Sequence, residues 1–227
     1  MDDTPPGPDR SSPFCELSLP PRVALAYTPC VPRAPLLLAC LLAGGCGVTQ
    51  VVDRAEDGTP ILIRSPQPDQ DDLVELSDAH GVRTVVNLRG TPGPGEEAPG
   101  WYADEREGVE AIGAEWVQLR VSGGARPLPE TVEQFFSLVE DPRRWPILIH
   151  CQGGIHRTGL LSALYRIQYQ GWSAAAAIAE MEDLWFDWTV RDREELKRYL
   201  REYQPDPQRR VPRARPTAQA PRFSPTR

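Results

Sequence analysis

The stretch Ile147-Leu148-Ile149-His150-Cys151-Gln152-Gly153-Gly154-Ile155-His156-Arg157-Thr158-Gly159-Leu160 runs three apolar residues into a His-Cys pair, then two glycines, then Arg157-Thr158 and a helical pattern. That order reads as buried strand, tight loop and helix N-terminus, with a cysteine and an arginine bracketing the loop. A loop entering a helix turns several backbone N–H groups into one hollow, and the helix dipole adds partial positive charge there. A thiol in that hollow ionises more easily, because the dipoles and a nearby cation stabilise the thiolate. A guanidinium is the group best shaped to grip two oxygens of one phosphate. The stretch therefore holds a nucleophile, an anion cradle and a fork for the anion.

Outward from it, strand and helix patterns alternate. Pro60 to Pro68 reads as a short strand leaving through a proline-rich turn. Asp69 to His80 is a helix with Leu73, Val74, Leu76 and Ala79 at helical spacing and Gly81 just past its end. Arg83 to Arg89 has the run of a buried strand. Gly90 to Gly100 is a loop whose Glu96 and Glu97 read as solvated charges, and Trp101 to Ala114 suggests a helix. Glu115 to Val121 is a further strand, and Pro129 to Glu140 a helix with Val132, Phe135, Phe136 and Val139 on one face. After the central stretch come three helices, over Thr158–Gln170, Ser173–Leu184 and Val190–Tyr203. Alternation of this kind predicts an α/β fold: a central, mostly parallel sheet flanked by helices, with the Cys-x5-Arg loop at the carboxyl end of the 147–150 strand.

Composition agrees with one soluble domain plus flanking segments. The chain has 227 residues, 40% hydrophobic, with a net charge of -7 that argues against a nucleic-acid partner. Its 25 prolines crowd the first 35 residues, the 91–99 loop and the end of the chain. Cys15, Cys30, Cys40 and Cys46 lie in the N-terminal fifth, whereas Cys151 stands alone in the rest, with no metal-ligand spacing around it. No metal or cofactor is expected. A lone cysteine leaves its thiol free for nucleophilic work and leaves no second thiol to rescue it from over-oxidation.

His150, Cys151, Gly154, Arg157 and Thr158 fill every fixed place of His-Cys-x-x-Gly-x-x-Arg-Ser/Thr, and the stretch resembles the signature of the cysteine-dependent protein tyrosine and dual-specificity phosphatases. Arg64-Ser65-Pro66-Gln67-Pro68 and Thr84 to Arg89 are similar to the small atypical members of that superfamily in microbes, plants and fungi, over roughly residues 60–185. The resemblance implies hydrolysis of phosphomonoesters, phosphotyrosine and by extension phosphoserine or phosphothreonine, on a phosphorylated protein or a small substrate. Cys151 would attack phosphorus and form a phosphocysteine, and Arg157 would hold two equatorial oxygens. Thr158 would donate its hydroxyl to sulfur. Gln152, Gly153, Gly154 and Ile155 would line the cradle, and His150 would orient the loop without touching substrate. The family's usual acid, an aspartate about thirty residues before the cysteine, has no counterpart in Val121 to Arg126. His156 is the candidate proton donor, since imidazole titrates near neutrality; Glu130 and Asp141 are more remote ones. The loop carries no lysine, and Lys197 is the chain's single one, so a polyanionic head group is the weaker substrate expectation. A phosphatase fold that captures phosphorylated partners without turning them over is the alternative. A sulfur carrier of rhodanese type is disfavoured, because Arg157-Thr158 belongs to phosphate chemistry.

The phosphatase domain is expected over 51–203. Residues 1–34 read as disordered or as lying upstream of the true start. Pro35 to Cys46 has the length of a signal-peptide core and ends on Leu42-Ala43-Gly44-Gly45-Cys46, which resembles a bacterial lipoprotein box with Ala43 in place of the usual leucine. Two readings stand: export with membrane attachment through Cys46 at the cell envelope, or a short apolar segment on a cytoplasmic protein. Residues 204–227 read as a disordered tail rich in arginine and proline.

Overall fold

A computed structural model describes residues 48–93, 95, 97–184 and 194–214. Five strands form one sheet: β1 (Gln50–Arg54), β2 (Pro60–Ser65), β3 (Thr84–Asn87), β4 (Glu115–Gln118) and β5 (Ile147–His150). Their order is β1-β2-β5-β3-β4, so the 147–150 strand is central. It pairs in parallel with β2 on one side and β3 on the other, and β4 extends the sheet in parallel beyond β3. Only β1 runs antiparallel, and its irregular pairing with β2 hid it from the alternation rules that located the other four.

The inner strands carry apolar runs at their centres because both faces are covered. Leu62, Val86, Ile147 and Ile149 face one core, with Phe135, Leu160, Leu161 and Leu164. Ile63, Val85 and Leu148 face the other, with Leu73 and Val109. On that second face lie α1 (Gln70–His80) and α2 (Gly100–Ala111); the first carries α3 (Pro129–Val139), α4 (His156–Gln170), α5 (Ala174–Asp183) and α6 (Glu194–Glu202). Helix α1 starts on a capping box, Asp69 accepting from the Asp72 N–H and Asp72 from the Asp69 N–H, and ends on Gly81 at positive φ.

The mostly parallel α/β architecture is as expected, with shifts at element ends. Helix α4 begins at His156 rather than Thr158, which places Arg157 in its first turn. Of the predicted 190–203 helix, residues 190–193 lie outside the described residues, as do residues 1–47 with the apolar segment and Cys46. Among the described residues no helix is long and apolar enough to cross a membrane.

One expectation is corrected. Residues 204–214, read from composition as part of a solvated tail, pack onto the domain. Val211 is buried in the larger core, Arg209 pairs with Glu133 and Glu140 while lying over the Phe136 ring, and Arg213 reaches Asp53 at 2.7 Å. Arginine and proline promise disorder only when no partner exists, and here three acids and an aromatic face supply one.

Candidate active site

At the carboxyl ends of the sheet, Ser65, His150, Asn87 and Gln118 stand side by side in register. The 151–155 loop leaves from the central position, the edge where open α/β sheets offer a crevice. Its floor is the turn after β2. The Gln67 N–H donates to the Gln152 carbonyl at 3.0 Å, and Gly154, at φ +66°, is so close that a Cβ there would lie 2.6 Å from the Pro66 nitrogen. Only glycine fits both the left-handed conformation and that approach.

Cys151 is a free thiol, 3% exposed. Burial works against its ionisation, but the Thr158 hydroxyl, the backbone N–H groups of Thr158 and Gly154 and the Arg157 charge outweigh it, so the thiol is held below the ordinary range. The buried Thr158 Oγ1 has no hydrogen-bond partner among the described residues, which leaves its proton available to the Cys151 sulfur. Arg157 lays its guanidinium against the glycine-rich 122–125 loop, 3.6 Å from where a Gly123 Cβ would be, and its buried Nε has no partner among the described residues.

Beyond Arg157 opens a cleft of about 720 Å³ lined also by Arg89, Arg120 and Arg126. Arg126 is held by Glu195 and Glu202 of α6. Arg89 stacks over the Trp101 ring at 3.6 Å, and its pKa is lowered by burial and by the Arg157 charge beside it. Like charges pressed together at a sheet edge make a pocket for an anion. The loop itself carries no lysine; the positive charge comes instead from arginines on three other segments. No carboxylate lines the cleft among the described residues. Asp141 is bound to Arg143 at the opposite, amino end of β5, away from the thiol, and Glu130 is exposed in the first turn of α3. His156 is half-buried beside Arg157 in the first turn of α4, and Ile155 is its N-terminal neighbour.

Two further groups escaped sequence reasoning. Arg64 is 2% exposed and donates from Nη2 to the Gly154 carbonyl at 2.7 Å from beneath the loop. Glu105, also 2% exposed, accepts from His150 Nε2 at 3.1 Å. Arg64 sat inside a quoted stretch, but nothing in it marks an inward-facing guanidinium; Glu105 is one acid among several in an exposed-looking helix. Among the described residues no His, Cys, Asp and Glu side chains cluster as metal ligands.

Residues 51–197 match the family model described as DSP-PTPase phosphatase fused to NAD+ kinase. The dual specificity protein phosphatase TpbA of Pseudomonas aeruginosa (strain UCBPP-PA14) is 52% identical over 40 residues, 18% of this chain and 18% of that protein. The inositol diphosphatase DSP3 of Arabidopsis thaliana is 29% identical over 142 residues, 60% of this chain and 64% of that one. The chain thus matches less than two thirds of the length of these curated relatives. The core catalytic domain of the PP-IP phosphatase SIW14 from S. cerevisiae shares the fold, with a TM-score of 0.52 at 24% identity over 64% of this chain and 82% of that one. With the family model covering more than half of it, the chain belongs to this DSP-PTPase phosphatase family.

Proposed function

We propose that this member of the DSP-PTPase family hydrolyses phosphomonoesters through a phosphocysteine intermediate, with phosphotyrosine-like aryl esters as its readiest substrates. The carrying observation is the Cys151 thiol, held below its ordinary pKa in part by Arg157, whose side chain also lines the arginine-rich cleft. In the first step the thiolate attacks phosphorus, the ester oxygen departs with its electron pair, and Arg157 binds two equatorial oxygens as charge spreads over them. In the second step water attacks the phosphocysteine, phosphate is released, and sulfur leaves as a thiolate stabilised by the Thr158 hydroxyl. His150 orients the loop, and the Gln152 to Ile155 backbone completes the cradle. With no carboxylate lining the cleft among the described residues, His156 is the reading for the proton donor to the leaving oxygen. Weak acid assistance favours leaving groups that depart unaided, as phenoxides do better than alkoxides.

The test is hydrolysis of an aryl phosphate by the full chain in the presence of EDTA. Turnover should survive the chelator and vanish in Cys151→Ser, and His156→Ala should lose the basic limb of the pH profile. Tight phosphopeptide binding by well-folded native protein without turnover would replace this reading with a phospho-binding module.

A second reading, a substrate with additional phosphate groups, is favoured by Arg89 and Arg120 lining the cleft with Arg157. Arg120→Ala would then lower kcat/KM for an inositol diphosphate severalfold while leaving a simple aryl phosphate unaffected.

A further inference from the structure

We infer that Glu105 is the positioning residue of this site, holding the phosphate loop and the cleft arginine Arg89 in place together by dictating which way their neighbours point. This rests on the phosphatase reading above. Its carboxylate is fully buried and accepts four hydrogen bonds. Oε1 takes the Trp116 Nε1–H at 2.6 Å and His150 Nε2 at 3.1 Å; Oε2 takes Gln67 Nε2 at 2.8 Å and Asn87 Nδ2 at 3.2 Å. The donors come from the carboxyl ends of β3 and β5, from Trp116 within the edge strand β4 and from the turn after β2, so one side chain of α2 ties together four segments of the sheet.

An ionised carboxylate only accepts, and this forces the orientation of each partner. His150 must carry its proton on Nε2. Gln67 and Asn87 must turn their NH2 groups inward, which aims both amide oxygens the other way, at the same residue. Gln67 Oε1 accepts from Arg89 Nη1 at 3.0 Å, and Asn87 Oδ1 accepts from the Arg89 backbone N–H at 2.8 Å. Trp101, one helical turn before Glu105 on α2, supplies the ring over which the Arg89 guanidinium lies. Through Gln67 the same carboxylate also reaches the loop, because the Gln67 N–H holds the Gln152 carbonyl. A negative charge this near opposes both a thiolate and a bound phosphate. What Glu105 contributes is therefore acceptor geometry, and the sign of a charge-removing substitution separates the two effects.

The experiment uses the full chain as native, Glu105→Gln and Gln67→Met. Iodoacetamide alkylation is followed across pH on the Cys151 peptide by mass spectrometry, with and without inorganic phosphate, alongside kcat and KM for an aryl phosphate. The charges facing Cys151, namely Arg64 from β2, Arg89 after β3 and Arg157 from α4, are retained in both variants. Glu105→Gln, which sets an NH2 group against two of the four donors, should move the alkylation midpoint upward although it removes a negative charge. It should also weaken phosphate protection by on the order of tenfold, since small misplacements at a reacting centre are that costly. Gln67→Met, which frees the Arg89 side chain but keeps the backbone bond to the loop, should raise KM severalfold with kcat and the alkylation midpoint little changed. A downward midpoint in Glu105→Gln, or a lower Tm with protection as in native, would overturn the inference. Should Glu105→Gln fail to fold, native-like protection and KM in Gln67→Met would do the same. Native Cys151 left unprotected by phosphate would overturn the phosphatase reading and this inference with it, whereas protection equal in all three proteins would overturn this inference alone.

Discussion

Arg64 meets the 151–155 loop from beneath, through the Gly154 carbonyl. Its pKa is lowered by burial, with Glu180 and Cys151 pulling the other way, so the guanidinium and the thiolate stabilise each other. Arg64→Met removes that charge and orphans the Gly154 carbonyl; the alkylation midpoint of Cys151 should rise by about one unit, and kcat/KM near neutrality should fall accordingly. The thiol also couples to stability. Because folding lowers its pKa, the unfolded chain binds more protons between the folded value and the ordinary one of about 8.5. The stabilisation is fully present above that ordinary value and is lost as pH falls through the folded one. Cys151→Ala should therefore flatten the dependence of unfolding free energy on pH below the ordinary thiol value of about 8.5, which denaturant titrations at several pH values measure.

At the scale of elements, the loop works because a strand, a turn and a helix are packed to within a single Cβ of one another. Gly154→Ala would force a positive φ on alanine and drive its methyl into the Ser65–Pro66 backbone. The cost should be at least about 2 kcal/mol, seen as a Tm lowered by several degrees in calorimetry, together with loss of aryl phosphatase activity. Gly90 plays a like part for the cleft. Its Cβ would lie 2.8 Å from the Arg120 Cβ, so the bare backbone lets the Arg120 stem cross it into the lining. Helix α2 had no sequence feature to mark it as part of the site. Its face toward the sheet carries Trp101 and Glu105, and both act on Arg89.

For the molecule as a whole, a net charge of -7 coexists with a cleft where Arg89, Arg120 and Arg157 converge. Acids elsewhere keep other arginines occupied: Arg166 is paired with Glu180 at 2.5 Å, and Arg209 with Glu133 and Glu140. The 204–214 segment is part of this arrangement, binding α3 and the antiparallel edge strand β1 at once. A chain ending at Tyr203 would lose Val211 from the core and uncover Phe136; burial of one such side chain is worth about 1.5–3 kcal/mol. Differential scanning calorimetry should show Tm lowered by roughly 5 °C, with the alkylation midpoint of Cys151 unchanged because no residue of the segment touches the loop.

Sequence alone determined the central strand, the loop and the helix entry. These are local: Ile147 to Leu160 are contiguous, and glycine, cysteine and arginine at fixed spacing constrain a single turn. It also located four of the five strands, because β2, β3 and β5 hold short apolar runs and β4 follows the same alternation of strand and helix. Tertiary structure alone decided the rest. Arg64, Arg89, Glu105 and Arg120 come from separate segments, and nothing local distinguishes a charged side chain that turns inward from one that is solvated. Composition likewise said that 204–214 would be loose, until folding placed Glu133, Glu140 and Asp53 beside its arginines. Charge pairing across long sequence separations is a property of the packed chain, and it is there that this site acquires its positive field and its supports.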